Sequence, residues 1–408
     1  MSVADDLQRK LEAATLPFEA GVARRVALHR ALREPDVDYL RAYTQWDRKR
    51  RYVPDPLPGQ IATAHADLLF GDEPSVTAAA AADQARLDEL VDETNLPSEL
   101  HRAAEIASSE GEVWWRIYTD RDASDYPLIQ WCSRLDVAPL WRAGRPVAVA
   151  FISVVDAADQ VVTRHVEIQA PGETRNLLYR GSWDRLGVRV SLDAHPDTEG
   201  LPDEWLHAPL MLAGRVLNRP RTDTTRIGRS DYHGAEELML ALNEATTIGA
   251  ENARLTAKKR LFVDGAYLDA RGNLPAGDDV YRKDKDGDEL GDAGGVGVKE
   301  AEYSYDAAPL IAHTQDLVER IVTRCGLVPQ WVGVQEQGRA ESGTALRVRL
   351  LPATLTAHGK SRFWTDALPR ILGLLQMVDA MPEALGGFGR DWARAADDPD
   401  VALGDPIP

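Results

Sequence analysis

Cysteine is nearly absent from this chain: Cys132 and Cys325 are the only two, far apart in sequence. That excludes a disulfide framework and a metal-finger spacing, and it suits assembly in a reducing compartment. Long apolar runs are missing as well. The longest strongly apolar stretch, residues 147–155, is about half of what a membrane-spanning helix needs. Met1-Ser2-Val3-Ala4-Asp5-Asp6 offers neither a basic start nor an apolar core, so no secretory signal is expected. Positive charge is scarce: 47 Lys and Arg face 65 Asp and Glu, a formal net charge of −18. A nucleic-acid binder normally carries a basic face that neutralises phosphates, so tight gripping of DNA is not expected. Acidity suits a surface that DNA slides past, and equally a protein that never meets DNA.

Catalytic signatures are missing too. The nine histidines fall singly, with no pair at metal-ligand spacing on one helix face. Gly294-Gly295-Val296-Gly297-Val298-Lys299 has glycines and a lysine but not the spacing of a phosphate-binding loop, and no Ser or Thr follows. Neither a nucleophile elbow nor a dinucleotide-binding glycine turn occurs between a strand and a helix. Asp284-Lys285-Asp286-Gly287-Asp288-Glu289 imitates the start of a calcium loop, yet Glu289 stands where the glycine belongs and Gly295 where the closing glutamate belongs. It reads as a solvated acidic turn. No catalytic residue, no metal site and no cofactor is predicted.

What is present is an ordinary folded composition, 44% hydrophobic and 27% charged, over 408 residues. That length allows two or three cores, and the element pattern predicts an α+β class. Residues 1 to about 110 read as mostly helical. Leu7 and Leu11, then Val22, Val26, Leu28 and Leu32, fall at helical spacings. Pro54-Asp55-Pro56-Leu57-Pro58 breaks the pattern, and helices follow over 61–70, 84–91 and 96–109. From Gly111 to about Pro220 short β-rich runs alternate with turn residues, which predicts a mainly antiparallel layer. Trp114, Trp115, Trp131, Trp141 and Trp183 lie in this region and are expected to pack in the core or between subunits.

The clearest helical stripe runs over about 234–258, with Ser230 and Asp231 as N-cap residue types. A Gly-, Asp- and Lys-rich insert over 264–304 is too long for a turn and predicts a projecting subdomain. A second helix opens at Asp306 and tolerates Pro309 in its first turn. Residues 330–350 read as a loop and short strand. A last helix spans about 353–381 with Gly359 and Pro369 as kink points, and 382–408 reads as a short acidic, poorly packed tail.

Several local sequences carry a family resemblance. They are Leu68-Leu69-Phe70-Gly71-Asp72-Glu73-Pro74, the run from Ala103 to Trp115, Gly228-Arg229-Ser230-Asp231 leading into Leu242-Asn243-Glu244-Ala245, and Glu341-Ser342-Gly343-Thr344-Ala345-Leu346-Arg347. In order and spacing, these and the start of the last helix over 360–368 resemble the portal proteins of tailed phages, particularly the SPP1-type and actinophage branch.

That resemblance implies a wing over 1–227, a first stem helix over 228–258, a clip over 259–305 and a second stem helix over 306–325. It further implies a tunnel loop and wing strand over 326–350, a long kinked helix over 351–381, and a vestigial crown over 382–408. The implied role is a subunit of a ring of about twelve that closes head to tail. The ring would sit at one capsid vertex of a virion assembled in the host bacterial cytoplasm, and it would pass double-stranded DNA during packaging and ejection. Implied partners are the terminase large subunit, a head–tail adaptor, and the major capsid and scaffolding proteins, with no membrane. About twelve copies would carry on the order of 200 negative charges, which discourages phosphate adhesion.

Gln335, Gln337, Arg339, Glu341 and Ser342 would border DNA in the tunnel loop. Lys258, Lys259 and Arg260 form a basic cluster that either faces the channel or offsets the helix dipole. Arg282, Lys283, Asp284, Lys285 and Asp286 would contact terminase or adaptor from the clip. Two rivals remain at this level: a soluble hydrolase-like α+β enzyme without a local motif, and another structural protein of a phage-derived particle such as a gene-transfer particle.

Overall fold

The computed structural model describes residues 2–47, 51–221, 226–256, 260–262, 299–301, 305–332 and 343–404. Helices α1 (Val3–Ala13), α2 (Ala20–Arg33), α3 (Val37–Tyr43) and α4 (Leu57–Phe70) open the chain. Strand β1 (Ser75–Thr77) and helices α5 (Gln84–Glu93) and α6 (Leu96–Glu110) follow. The chain then turns to strands β2 (Glu112–Tyr118), β3 (Leu128–Cys132), β4 (Val137–Arg142), β5 (Arg145–Ala158) and β6 (Val161–Ala170). Strands β7 (Glu173–Ser182), β8 (Arg185–Val190), β9 (Glu204–Leu206) and β10 (Ala213–Leu217) complete the β-rich third. Helix α7 (Glu236–Thr256), strands β11 (Arg260–Phe262) and β12 (Lys299–Ala301), helices α8 (Ala308–Arg324) and α9 (Gly343–Ala380), and strand β13 (Asp400–Ala402) close it. The class is α+β, as expected, and the described strand pairs are antiparallel.

The strands of the β-rich third, β2 to β10, form two sheets. One has the order β10-β2-β3; the other runs β4-β5-β6-β7-β8, with β9 added on β7. Helix α1 is closed by a reciprocal cap in which Ser2 Oγ accepts from Asp5 N and Asp5 Oδ2 accepts from Ser2 N. Its stripe of Ala4, Leu7 and Leu11 covers the larger sheet at Leu140, Ala150, Val166 and Leu177. The smaller sheet packs Val113, Trp115 and Ile117 against α6 and the second half of α9, where Trp364, Leu368, Ile371 and Leu375 are buried. A separate core joins α2, α3 and α4 to the first half of α7 and the end of α8.

Four expectations need correction. Residues 343–350 are helical, so α9 begins about ten residues earlier than predicted and there is no strand there. The alternation Leu346-Arg347-Val348-Arg349-Leu350 suggests a strand, but Leu and Arg are also strong helix formers. Helix α9 contains Pro352 as well as Pro369; each lacks an N–H, which removes one intrahelical bond. Ser230 and Asp231 do not cap α7: the helix starts at Glu236, and both residues are buried.

The stretch after α9 is not a loose tail. Strand β13 pairs with β1, placing Val401 opposite Val76. Trp392 is buried and donates its Nε1–H to Asp379 Oδ2 at 2.9 Å, while Asp83 accepts from the backbone N–H groups of Ala393 and Arg394 at 2.8 and 2.9 Å. Apolar side chains outweigh the acidic composition there. Trp114, Trp115 and Trp131 are buried, as expected for core packing, and Trp183 is 55% exposed. No described helix is long and apolar enough to cross a membrane.

Candidate functional site at the junction of the long helices

Residues 228–236 wrap around the C-terminal end of α6. Gly111 follows that helix with φ at +95°, a left-handed conformation that suits glycine. A Cβ on Gly111 would lie 2.3 Å from the Gly228 carbonyl oxygen, and one on Gly228 would lie 2.1 Å from the Gly111 oxygen. The two backbones touch only because both residues lack a side chain. This contact lets Asp231 N donate to Ser108 O at 2.9 Å and Ser230 Oγ donate to Ser109 O. The carbonyls left open at the end of α6 are satisfied in this way.

Asp231 is the centre of the arrangement. Its Oδ2 accepts from Ser108 Oγ at 2.6 Å and contacts Lys360 Nζ, while Oδ1 pairs with Arg219 Nε at 2.7 Å. His65 Nε2 lies 3.7 Å from the same carboxylate and donates to Cys325 O at 3.0 Å, which fixes the proton on Nε2. Arg219 Nη2 donates to that carbonyl too, also at 3.0 Å. Cys325 caps the C-terminus of α8, so the negative end of that helix receives both donors. One carboxylate thus gathers α4, α6, the segment after β10, α8 and α9.

Burial would raise the Asp231 carboxyl, but the cationic groups facing it, Lys360 and Arg219 among them, more than offset it and hold it well below the usual carboxylate range. Burial lowers Lys360 to about 8, against the pull of Asp231. It lowers His65 to about 3, so this imidazole is neutral near pH 7. Glu110 and Glu112 flank Gly111 and form a second buried layer. Burial pushes Glu110 up to about 7, partly countered by the Ser133 hydroxyl and the Arg33 charge. Glu112 accepts from Trp114 Nε1 at 2.9 Å and pairs with Arg215 and Arg134.

These buried charges are paired with one another, and the pairs fasten the elements that carry them. Neither thiol is poised as a nucleophile: burial pushes Cys132 up to about 12 and Cys325 higher still. Among the described residues no three His, Cys, Asp or Glu gather as a metal site.

Beyond this junction α7 and α8 run side by side. Buried residues stop at Thr247 on α7 and begin only at Leu317 on α8. Their distal halves frame an apolar hollow lined by Gly249, Ala253, Thr256, Tyr305, Leu310 and Ile311. Asp306 Oδ1 accepts from Ala308 N at the start of α8, and Pro309 sits in its first turn as expected.

The tunnel-loop residues Gln335, Gln337, Arg339, Glu341 and Ser342 lie outside the described residues, as do Lys258, Lys259 and the clip residues Arg282 to Asp286. The backbone of Arg260 opens β11, past the end of α7. Pattern alone makes Lys360 one more helical residue and Asp231 a cap. One signal points further. Lys360 falls in the buried stripe Ala353, Ala357, Lys360, Trp364, Leu368, Ile371, and a lysine at a core position demands a counter-charge.

A family model described as "Phage portal protein, SPP1 Gp6-like" matches residues 31–376. Among the curated proteins none matches. Two solved structures are similar at low identity. A chain of "Virion of native gene transfer agent (GTA) particle" is 11% identical with a TM-score of 0.48, over 98% of this chain and 88% of that one. A chain of "Neck of empty GTA particle computed with C6 symmetry" is 12% identical with a TM-score of 0.47, over 87% and 82%.

Proposed function

The chain belongs to the SPP1 Gp6-like family of phage portal proteins, and from this premise we propose that it is the ring-forming subunit of a DNA channel at one capsid vertex. The match over residues 31–376 carries this reading. It assigns the chain to a structural family, and the proposed ring has about twelve copies joined head to tail. In this reading residues 1–227 form the wing, α7 and α8 the stem, 259–305 the clip, and 326–350 the region around the tunnel loop. Residues 351–381 give the long helix behind it, and 382–408 stand in place of a crown.

Two physical features support the assignment. Among the described residues, α7 beyond Thr247 and α8 before Leu317 hold no fully buried residue, and Ile248 and Ile311 are exposed. A projecting helix pair of this kind gains its stability from tertiary neighbours, which adjacent copies in a ring supply. The net charge of −18 supports weak, sliding passage of DNA. Gln335, Gln337, Arg339, Glu341 and Ser342 are proposed to border the duplex, with Lys258, Lys259 and Arg260 lower in the channel. The clip residues Arg282, Lys283, Asp284, Lys285 and Asp286 are proposed to meet the terminase large subunit first and the head–tail adaptor later. The energy for packaging comes from the terminase.

Native mass spectrometry with class-averaged images of the purified protein tests the proposal. A ring of about twelve subunits with a hole wide enough for a duplex supports it. A chain that stays monomeric even with scaffolding and capsid proteins supplied overturns it.

A further inference from the structure

Helix α6 separates two regions of opposite charge. Its 15 residues span about 22 Å at the usual helical rise. At its C-terminal end stands a group of arginines. The contact of Gly111 with Gly228 holds the segment after β10 there, and Asn218 N donates to Gly111 O at 2.9 Å. From that segment Arg226 places its charge 5.7 Å from the Trp141 ring centroid, and Arg221 Nη1 reaches Gly144 O at 3.4 Å, over the β4–β5 turn. Arg142 and Arg145 face each other as the last pair of the same hairpin. All four arginines are exposed, and none has an ion-pair partner among the described residues.

The acids around this patch are engaged elsewhere. Glu112 pairs with Arg215 and Arg134, Glu19 with Arg134, and Asp231 with Arg219 and Lys360. On β7, two strands over, Arg175 binds Glu173 and Asp5. Residues 139–149 contain no acid, and 213–229 contain only Asp223, which lies outside the described residues. At the other end of α6 the balance is reversed. Helix α5 packs there and exposes Asp88, Glu89, Asp92 and Glu93. Tyr126 Oη donates to Glu89 at 3.1 Å and Ser124 Oγ to Glu93 at 2.9 Å, which lays the loop with exposed Asp122 and Asp125 alongside. The cations at this end turn inward: Arg390 pairs with the buried Asp379, which Arg86 also faces, and Arg121 donates to Gly387 O at 2.6 Å.

A head-to-tail ring sets one face of each copy against a different face of the next, so the two faces must lie apart and be complementary. The two ends of α6 meet both conditions. Arginine also suits such a contact, because a planar guanidinium can take a carboxylate through two parallel bonds. We infer that the arginine patch at the β4–β5 turn of one copy docks on the acidic face of α5 in a second copy of this chain. This rests on the ring reading above.

The test is a charge exchange read by native mass spectrometry and sedimentation. R145E/R221E makes both faces acidic, and D88K/D92K makes both basic. Each alone associates about tenfold more weakly or worse, because like charges then meet at every contact. Mixed one to one, the two variants restore rings in which they alternate. R145Q/R221Q, a neutral change at exposed positions, weakens association by a smaller factor and guards against misfolding. If both arginine variants assemble like the wild type, or if the mixture fails to recover although its two members melt like the wild type, this contact is wrong while the ring stands. A wild-type chain that never associates removes both.

Discussion

The ammonium of Lys360 and the carboxylate of Asp231 meet with both side chains buried, although 129 residues separate them in sequence. No element between them contains both, so the contact is a fastening between α9 and the segment that leads into α7.

Removing one partner strands the other. Asp231→Asn leaves Lys360 and Arg219 facing a neutral amide and should cost about 3–5 kcal/mol, as broken buried pairs do. Lys360→Met should cost a comparable amount, and the double variant should cost clearly less than the two together. Urea unfolding midpoints of the four chains measure this coupling. Strict additivity would mean that the two groups do not sense each other.

Two buried groups should give opposite pH dependences. His65 is lowered to about 3, so between about pH 3 and 6.5 the unfolded chain binds the extra proton and stability rises with pH. Glu110 is raised to about 7, so between about pH 4.5 and 7 the folded chain holds the extra proton and stability falls as pH rises. The stability difference between wild type and H65Q should therefore grow from pH 4.5 to 6.5. The difference between wild type and E110Q should shrink over the same range. Each slope approaches about 1.4 kcal/mol per pH unit at most, and denaturation at stepped pH reads it.

At the glycine crossing, Gly228→Ala places a methyl group 2.1 Å from a backbone oxygen that no rotamer can move. The segment carrying Ser230 and Asp231 must then lift from α6. A loss of about 3 kcal/mol or more is expected, in the class of large single-residue effects, checked by thermal melting. Gly234→Ala is the control for a left-handed glycine with open space around it, and it should cost less.

The stretch after α9 should behave as part of the fold. Trp392→Ala removes a buried indole and should cost about 3–5 kcal/mol. Trp392→Phe keeps most of the packing and loses the bond to Asp379, for about 1–2 kcal/mol. Limited proteolysis should leave 382–404 intact in the wild type and cut it in W392A.

Much of the fold is legible in the amino-acid pattern. Stripes at helical spacing mark α1, α2 and α4 to α7, because each of these helices buries one face and the code for that is local. Alternation locates the β-rich third for the same reason. Asp231 is not legible as a buried ion. An acidic residue ahead of a helix has the same local signature whether it caps that helix or pairs with a lysine on another, and distance in sequence hides the partner. Trp392 and Val401 stand singly among acidic residues, so no local pattern marks them, and their packing depends on α9 and β1 having already come together. Trp183 is exposed although tryptophan is usually buried, and no local pattern separates it from the buried Trp114 and Trp131.

The pairing of β13 with β1 has a bearing on when the subunit becomes competent. The core that contains Ala66 and Leu69 also contains Val401, so segments far apart in sequence must meet before it closes. Long-range closure of this kind is slow and comes late. A variant shortened before residue 400 lacks the strand that pairs with β1 and leaves Val76 without its partner Val401. One three-residue strand near residue 400 thus seals a core whose other members begin at Ala66.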